Sequence, residues 1–201
     1  MGNGDTLKRI ISSAIAEDQP AVAKAIEDEN AHIRQDGAEL GFSYASPAVV
    51  GDGTSPPAPS QTRYTPTAVP GCRAPHVWLD HAGVRISSID ILHSRFVVLA
   101  GPEGDAWASA ASQIADDTDL PIIGRTIGRD GDLIDLDGDF LETYGISADG
   151  AVLVRPDGHV AWRKYSIDWT GTAPLTEALE QVLGRPIHRS ATPIDRSVAM
   201  A

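Results

Sequence analysis

Cysteine is almost missing from this chain. Cys72 is the one thiol in 201 residues, so no internal disulfide can form. Long apolar runs are missing too: there is no stretch of about 18 apolar residues and no secretory h-region, which argues against a membrane helix and for a cytoplasmic protein. Basic charge is in deficit. With 16 Lys and Arg against 28 Asp and Glu the formal charge is −12, a surface that repels phosphate backbones and anionic lipid, so neither nucleic acid nor membrane is an expected partner. Phosphate-binding glycine motifs are absent. Gly124, Gly128 and Gly131 do not form G-x-G-x-x-G, and no G-x-x-x-x-G-K-[ST] occurs. The histidines, His32, His76, His81, His93, His159 and His188, are scattered without H-E-x-x-H or a pair at helical spacing, so no metal site is expected. The Asp130–Asp139 run has the oxygens of a calcium loop but the wrong register. With Gly138 as the sixth loop position, Leu133 would be first and Tyr144 twelfth, neither a carboxylate, and a solvated loop is expected instead.

What is present divides into four stretches. Residues 1–37 carry two amphipathic patterns: Leu7, Ile10, Ile11, Ala14 and Ile15 share one helical face, and Val22, Ala25, Ile26 and Ile33 another, with Gly37 expected to end the second helix. Two such short helices cannot cover their own apolar faces, so either the rest of the chain or a second polypeptide must do so. Residues 38–70 open with a candidate strand, Ser43 to Val50, and continue as GDGTSPPAPSQTRYTPTAVP, an extended strap that proline keeps out of helix. Residues 71–185 form the folded domain, and 186–201 a loose tail.

Within the domain, Ala74 to Leu79 and Val84 to Ile86 flank the turn His81-Ala82-Gly83, and Ile89 to Leu92 leads to an apolar strand at Arg95 to Ala100. A helix over residues 105–116, a strand at Pro121 to Ile127, a short helix at Phe140 to Tyr144 and a last helix from Pro174 to Leu183 complete it. The stretch AVLVRPDGHVAWR, Ala151 to Arg163, reads as a hairpin. Its first strand is unbroken apolar sequence, and Arg155-Pro156-Asp157-Gly158 supplies the turn. Alternation in the second strand sets Val160 and Trp162 on a covered face and His159, Ala161 and Arg163 on a solvated one, so His159→Ala is expected to change little. From Phe96 the order β-α-β-α-β-β-α describes a thioredoxin-like mixed sheet flanked by helices, an α/β fold preceded by the helical pair and the Pro/Gly-rich linker.

A thioredoxin-like catalyst would carry cysteine at the start of the helix after the Phe96 strand, where this chain has GPEGDAWASAA. Thiol chemistry therefore has no reagent. Arg73, His76 and Trp78 place a cation, an imidazole and an indole in one short segment, which suits either an interface or ligand contact or a strand that anchors the strap.

Four phrases in one order, ELGFSYASPAVVGDGT (Glu39 to Thr54), PGCRAPHVWL (Pro70 to Leu79), FVVLAGPEGDAW (Phe96 to Trp107) and DGAVLVRPDGHVAWR (Asp149 to Arg163), resemble the C-terminal part of class A FAD-dependent aromatic hydroxylases of the chlorophenol, phenol and polyketide type. The resemblance implies a cysteine-free thioredoxin-like domain of structural or associative role. It also implies that FAD and NAD(P)H belong to an upstream flavin domain, so this chain holds no cofactor and no catalytic residue. Three functions follow as expectations. The chain is a stand-alone assembly module whose Leu7, Ile11, Val22, Ile26 and Ile33 meet a flavin-domain hydroxylase partner or a second copy of itself. Alternatively it is a subunit of a split FAD- and NAD(P)H-dependent monooxygenase, or an aromatic small-molecule binding module.

Overall fold

The computed structural model of the protein describes Ser12, Pro20, Lys24 and residues 35–167 and 172–188. The expected interface positions Leu7, Ile11, Val22, Ile26 and Ile33 lie outside the described residues, as do residues 189–201 of the expected tail. In chain order the elements are α1 (Asp36–Leu40), β1 (Trp78–His81), β2 (Val84–Ser87), a 3-10 turn (Ser88–Ile91), β3 (Phe96–Ala100), α2 (Asp105–Asp117), β4 (Ile122–Thr126), β5 (Ile134–Asp135), α3 (Phe140–Tyr144), β6 (Ala151–Val154), β7 (Val160–Lys164) and α4 (Ala173–Leu183).

The unbroken apolar sequence of β3 is explained by burial on both faces. Phe96, Val98 and Ala100 enter one core, and Val97 and Leu99 the other. β4 pairs parallel with β3, β6 pairs antiparallel on its other side, and β7 follows, giving the thioredoxin-like order β4-β3-β6-β7. One face is covered by α2 and α4. The buried stripe of α2 is Trp107, Ala110, Ala111 and Ile114, and that of α4 is Leu175, Ala178 and Leu179, both at helical spacing. Gly124 lets α2 lie close against β4, since a Cβ there would stand 2.4 Å from the Ala108 Cα. The opposite face is covered by a second sheet of order β2-β1-β5, by Phe140 and Tyr144 of α3, and by the strap.

Several local expectations change. The lead into β3, where the sequence pattern assigns no element, is the 3-10 turn, started by a reciprocal capping box of Ser87 and Asp90. Gly37 does not end a helix but lies inside α1, because its missing Cβ allows the strap to pass; a Cβ would meet the Ser60 carbonyl oxygen at 2.1 Å. The acidic run is more than a solvated loop. Asp132 Oδ2 accepts the Thr126 amide at 2.9 Å, Asp135 accepts the amides of Gly138 and Phe140, and Leu133 is fully buried between them. At the C-terminal end contacts continue past residue 185: the Ile187 amide donates to Glu180 Oε1 at 2.9 Å, and its side chain packs on the helix-side core.

The hairpin turn forms as read, with Gly158 at φ 80° and its amide bonded to the Arg155 carbonyl at 2.9 Å. Its second strand does not alternate as expected. Leu153 faces Trp162 but Val154 faces Val160, so Ala161 is a bulge residue. One inserted residue inverts the pleat. Trp162 therefore joins the helix-side core against Trp107, at 5.1 Å between ring centroids, while Val160 turns to the other face.

Candidate functional site

The edge of the sheet beyond β7 is where the strap does its work. The Val50 amide donates to the Ala161 carbonyl at 2.7 Å, Gly71 to Val160 at 2.8 Å, and Val160 back to Cys72 at 2.9 Å. Isolated bridges Ser43 to Cys72 and Arg73 to His159 extend the pairing, and the first is the one strand-type bridge in the expected Ser43 to Val50 strand. An edge that would template association is thereby capped by the chain's own irregular segment. Side chains lock it. Arg163 Nε donates to Asp52 at 2.7 Å, its Nη2 to Thr54 at 2.9 Å and its Nη1 to the Tyr144 carbonyl. Burial alone would raise the Asp52 carboxyl, but the hydrogen bonds from Thr54 and Arg163 outweigh it and hold it below the usual carboxylate range.

His159, expected on a solvated face, is 7% exposed. Its ring lies 5.4 Å from Phe42 and 4.9 Å from Tyr44, and neither ring nitrogen has a hydrogen-bond partner. Asp157 Oδ1 approaches Nδ1 at 3.5 Å, while that carboxylate is engaged by Arg155 and the His159 amide. The strap thus brings two aromatic rings onto the hairpin and makes its histidine part of the packing.

The corner between β3 and α2, where thioredoxin-like enzymes carry cysteine, is packed with protein. A Cβ at Gly101 would meet the Ala148 carbonyl oxygen at 2.3 Å, and the Trp107 indole donates to the Asp149 carbonyl at 2.8 Å. Cys72 is elsewhere, against the strap, and burial pushes its thiol up, away from the thiolate that redox or nucleophilic chemistry requires. The glycines do not fit a flavin pyrophosphate either. The close sides of Gly101, Gly124 and Gly150 are filled by the backbones of Ala148, Ala108 and Tyr165, leaving no cradle of free amides at these positions. Among the described residues, no three His, Cys, Asp or Glu side chains converge on a metal position, and no helix is long and apolar enough to cross a membrane.

Two open grooves border the strap. One of 480 Å³ is lined by Thr67, Asp139, Glu142 and Arg163, but the guanidinium is already committed to Asp52. The other, of 560 Å³, lies between α1 and Pro56 to Gln61 and includes Phe42.

Of the three residues singled out in the 73–78 segment, the structure unites two. His76 and Trp78 meet edge to face at 4.5 Å, whereas half-buried Arg73 pairs its backbone with His159. The cation on Trp78 is Arg85, its Cζ 3.9 Å from the ring centroid. The hairpin His81-Ala82-Gly83 held the signal: it sets Asp80 opposite Arg85, and so puts Arg85 on the Trp78 face.

Comparison with known proteins agrees with this architecture. The sequence family described as "Aromatic-ring hydroxylase, C-terminal" matches residues 67–186. The chain is 43% identical over 145 residues to the tetracenomycin A2 monooxygenase-dioxygenase of Streptomyces glaucescens, across 72% of this chain and 26% of that protein. To the 2,4-dichlorophenol 6-monooxygenase of Delftia acidovorans it is 34% identical over 173 residues, 84% of this chain and 30% of the relative. The solved flavin-dependent monooxygenase PieE, in complex with FAD and substrate, superposes with a TM-score of 0.74 at 37% identity, covering 84% of this chain and 29% of PieE. The chain therefore spans less than a third of the length of these relatives.

Proposed function

This chain belongs to the family of aromatic-ring hydroxylase C-terminal domains, and from that membership we propose that it is a structural and assembly module, not catalytic alone, for a flavin-dependent aromatic hydroxylase. The observation that carries the reading is the packed β3–α2 corner. A thioredoxin-like sheet whose catalytic corner is filled by Ala148 and Trp107 has kept the scaffold without the reagent. FAD and NAD(P)H are then held by a flavin-domain hydroxylase partner in the cytoplasm. The division of the chain into residues 1–37, 38–70, 71–185 and 186–201 follows the same reading: the first stretch meets the partner through Leu7, Ile11, Val22, Ile26 and Ile33, or pairs with a second copy. Arg73, His76 and Trp78 offer contacts from the folded part.

A second reading has the same partner: the pair is a split monooxygenase that hydroxylates a phenol or polyketide ring. The likeness to PieE, solved with FAD and substrate, favours it. Absorption spectroscopy and size-exclusion chromatography test both. The chain alone, mixed with FAD, is expected to elute without flavin absorbance; mixed with a phenol-hydroxylase flavin domain it is expected to co-elute with the flavin bands. Flavin bound by the chain alone would overturn the modular reading, as would failure to associate with that domain or with itself. Hydroxylation of phenol by the reconstituted pair, but by neither component, would select the split enzyme.

A further inference from the structure

The β2-β1-β5 sheet buries one face and, among the described residues, leaves the other exposed. Its register sets Trp78 opposite Ser87, and Asp80 between Arg85 and Ile134. Leu136 continues the edge, its amide donating to the Trp78 carbonyl at 3.2 Å. Residues two apart share a face, so Trp78, Arg85, Ile134 and Leu136 project together on one side while Leu79 fills the core on the other. Beside Asp80, Arg85 and Ser87 this outward face carries three large apolar side chains where a solvated face would be polar throughout: Trp78 is 37% exposed, Ile134 41% and Leu136 45%.

The indole is held in advance of any contact. Arg85 stacks on it, His76 packs edge-on against it, and His76 Nδ1 lies 2.6 Å from Ser87 Oγ. A side chain already fixed loses little freedom when it is covered, and Trp and Arg dominate the energetics of protein interfaces. The rim is acidic. Asp130, Asp132, Asp137 and Asp139, all exposed, flank the segment that carries Ile134 and Leu136. A second copy would set the same carboxylates and a further net −12 against this rim, a like-charge opposition that interfaces avoid.

We propose that the outer face of the β2-β1-β5 sheet is a docking surface for a protein partner whose contact patch is apolar at its centre and rimmed with Lys and Arg. The flavin-domain reading is not needed for it. An amphipathic Leu/Lys helical peptide serves as the probe and its Leu/Glu counterpart as the control, followed by amide and indole NMR shifts of the whole chain. The Leu/Lys peptide is expected to shift the Trp78 indole and the amides of Arg85, Ile134 and Leu136, and to weaken as salt rises. Affinity is expected to fall about tenfold in Ile134→Lys/Leu136→Lys and about threefold in Leu136→Ser, which adds no charge and serves if the double variant does not fold. Glu177→Lys on α4 makes the same change in net charge as the double variant and is expected to leave affinity within about twofold. The proposal is overturned if the Leu/Glu peptide binds as well, if shifts fall elsewhere, if Glu177→Lys weakens binding as much as the double variant, or if Leu136→Lys abolishes a concentration-dependent dimer.

Discussion

The two faces of the four-stranded sheet are sealed by different means. On one side α2 and α4 lay down regular stripes, and the seal is a matter of side-chain volume: Trp107 on Trp162, Leu175 and Leu179 on the strands. On the other side and along the β7 edge, much of the cover is an irregular strap held by individual backbone hydrogen bonds and by glycines where chains cross. The helical seal should therefore fail when a core side chain changes, and the strap when a backbone position or a polar tie changes. Leu153, fully buried on the helix side, is the sharpest place to break the first. Leu153→Asp is expected to cost about 3–5 kcal/mol, since the carboxylate has no partner there. Urea denaturation checks it, and a loss under about 1 kcal/mol would show that this core admits water.

That difference also decided how much could be read from the residues. The α2 stripe Trp107, Ala110, Ala111 and Ile114 was visible in its spacing, as were the covered strands at Phe96 and Ala151 and the turn at Gly158. Period-two alternation gives no notice of an inserted residue, so the bulge at Ala161 and the true faces of Val160 and His159 were not visible. Strap composition announces extension but not destination. Nothing local in GDGTSPPAPS says that Asp52 will reach Arg163, 111 residues away. β5 is two residues long and lay hidden among aspartates, which concealed the Trp78, Ile134 and Leu136 face. Only His76 and Trp78 of that site were legible, because they are close in sequence.

At the strap the sensitive positions are backbone ones. Gly71 has φ 95°, and a Cβ would stand 2.4 Å from the Tyr44 carbonyl oxygen, while the Tyr44 amide bonds the Gly71 carbonyl at 2.9 Å. Gly71→Ala is expected to destabilise by about 1–3 kcal/mol through strain and the displaced crossing. Amide hydrogen exchange should then rise first at Tyr44, Val50 and Val160. Uniform loss of protection instead would mean that strap and sheet unfold as one unit.

His159 sharpens the contrast at smaller cost. Alanine there removes a ring packed against both Phe42 and Tyr44, and the expected loss is about 1 kcal/mol rather than the negligible change of a solvated position. Phenylalanine keeps the packing and removes two unpartnered nitrogens, so His159→Phe is expected to be neutral or to gain up to about 1 kcal/mol in thermal unfolding. A large loss in the phenylalanine variant would reveal a hydrogen bond to the imidazole.

The smallest effect is electrostatic and depends on pH. Asp52 has its carboxyl held below the ordinary range despite burial, by Thr54 and by Arg163. With the folded pKa lower than the unfolded one, the unfolded chain takes the proton first as pH falls, so the tie stabilises above the unfolded value of about 3.9 and fades as pH drops through the folded value. Asp157, depressed in the same direction against burial by Arg155 and the His159 amide, adds to the same acid limb. Asp52→Asn should cost at most about 1 kcal/mol at neutral pH, because solvent screens a pair this near the surface. Its stability curve should then converge with that of the parent chain only after pH has dropped through the parent's lowered folded value, where the parent's carboxylate is protonated. A difference that stayed constant into acid would assign the loss to the neutral hydrogen bonds with Thr54 rather than to charge, and the strap would then be held by its backbone and packing alone.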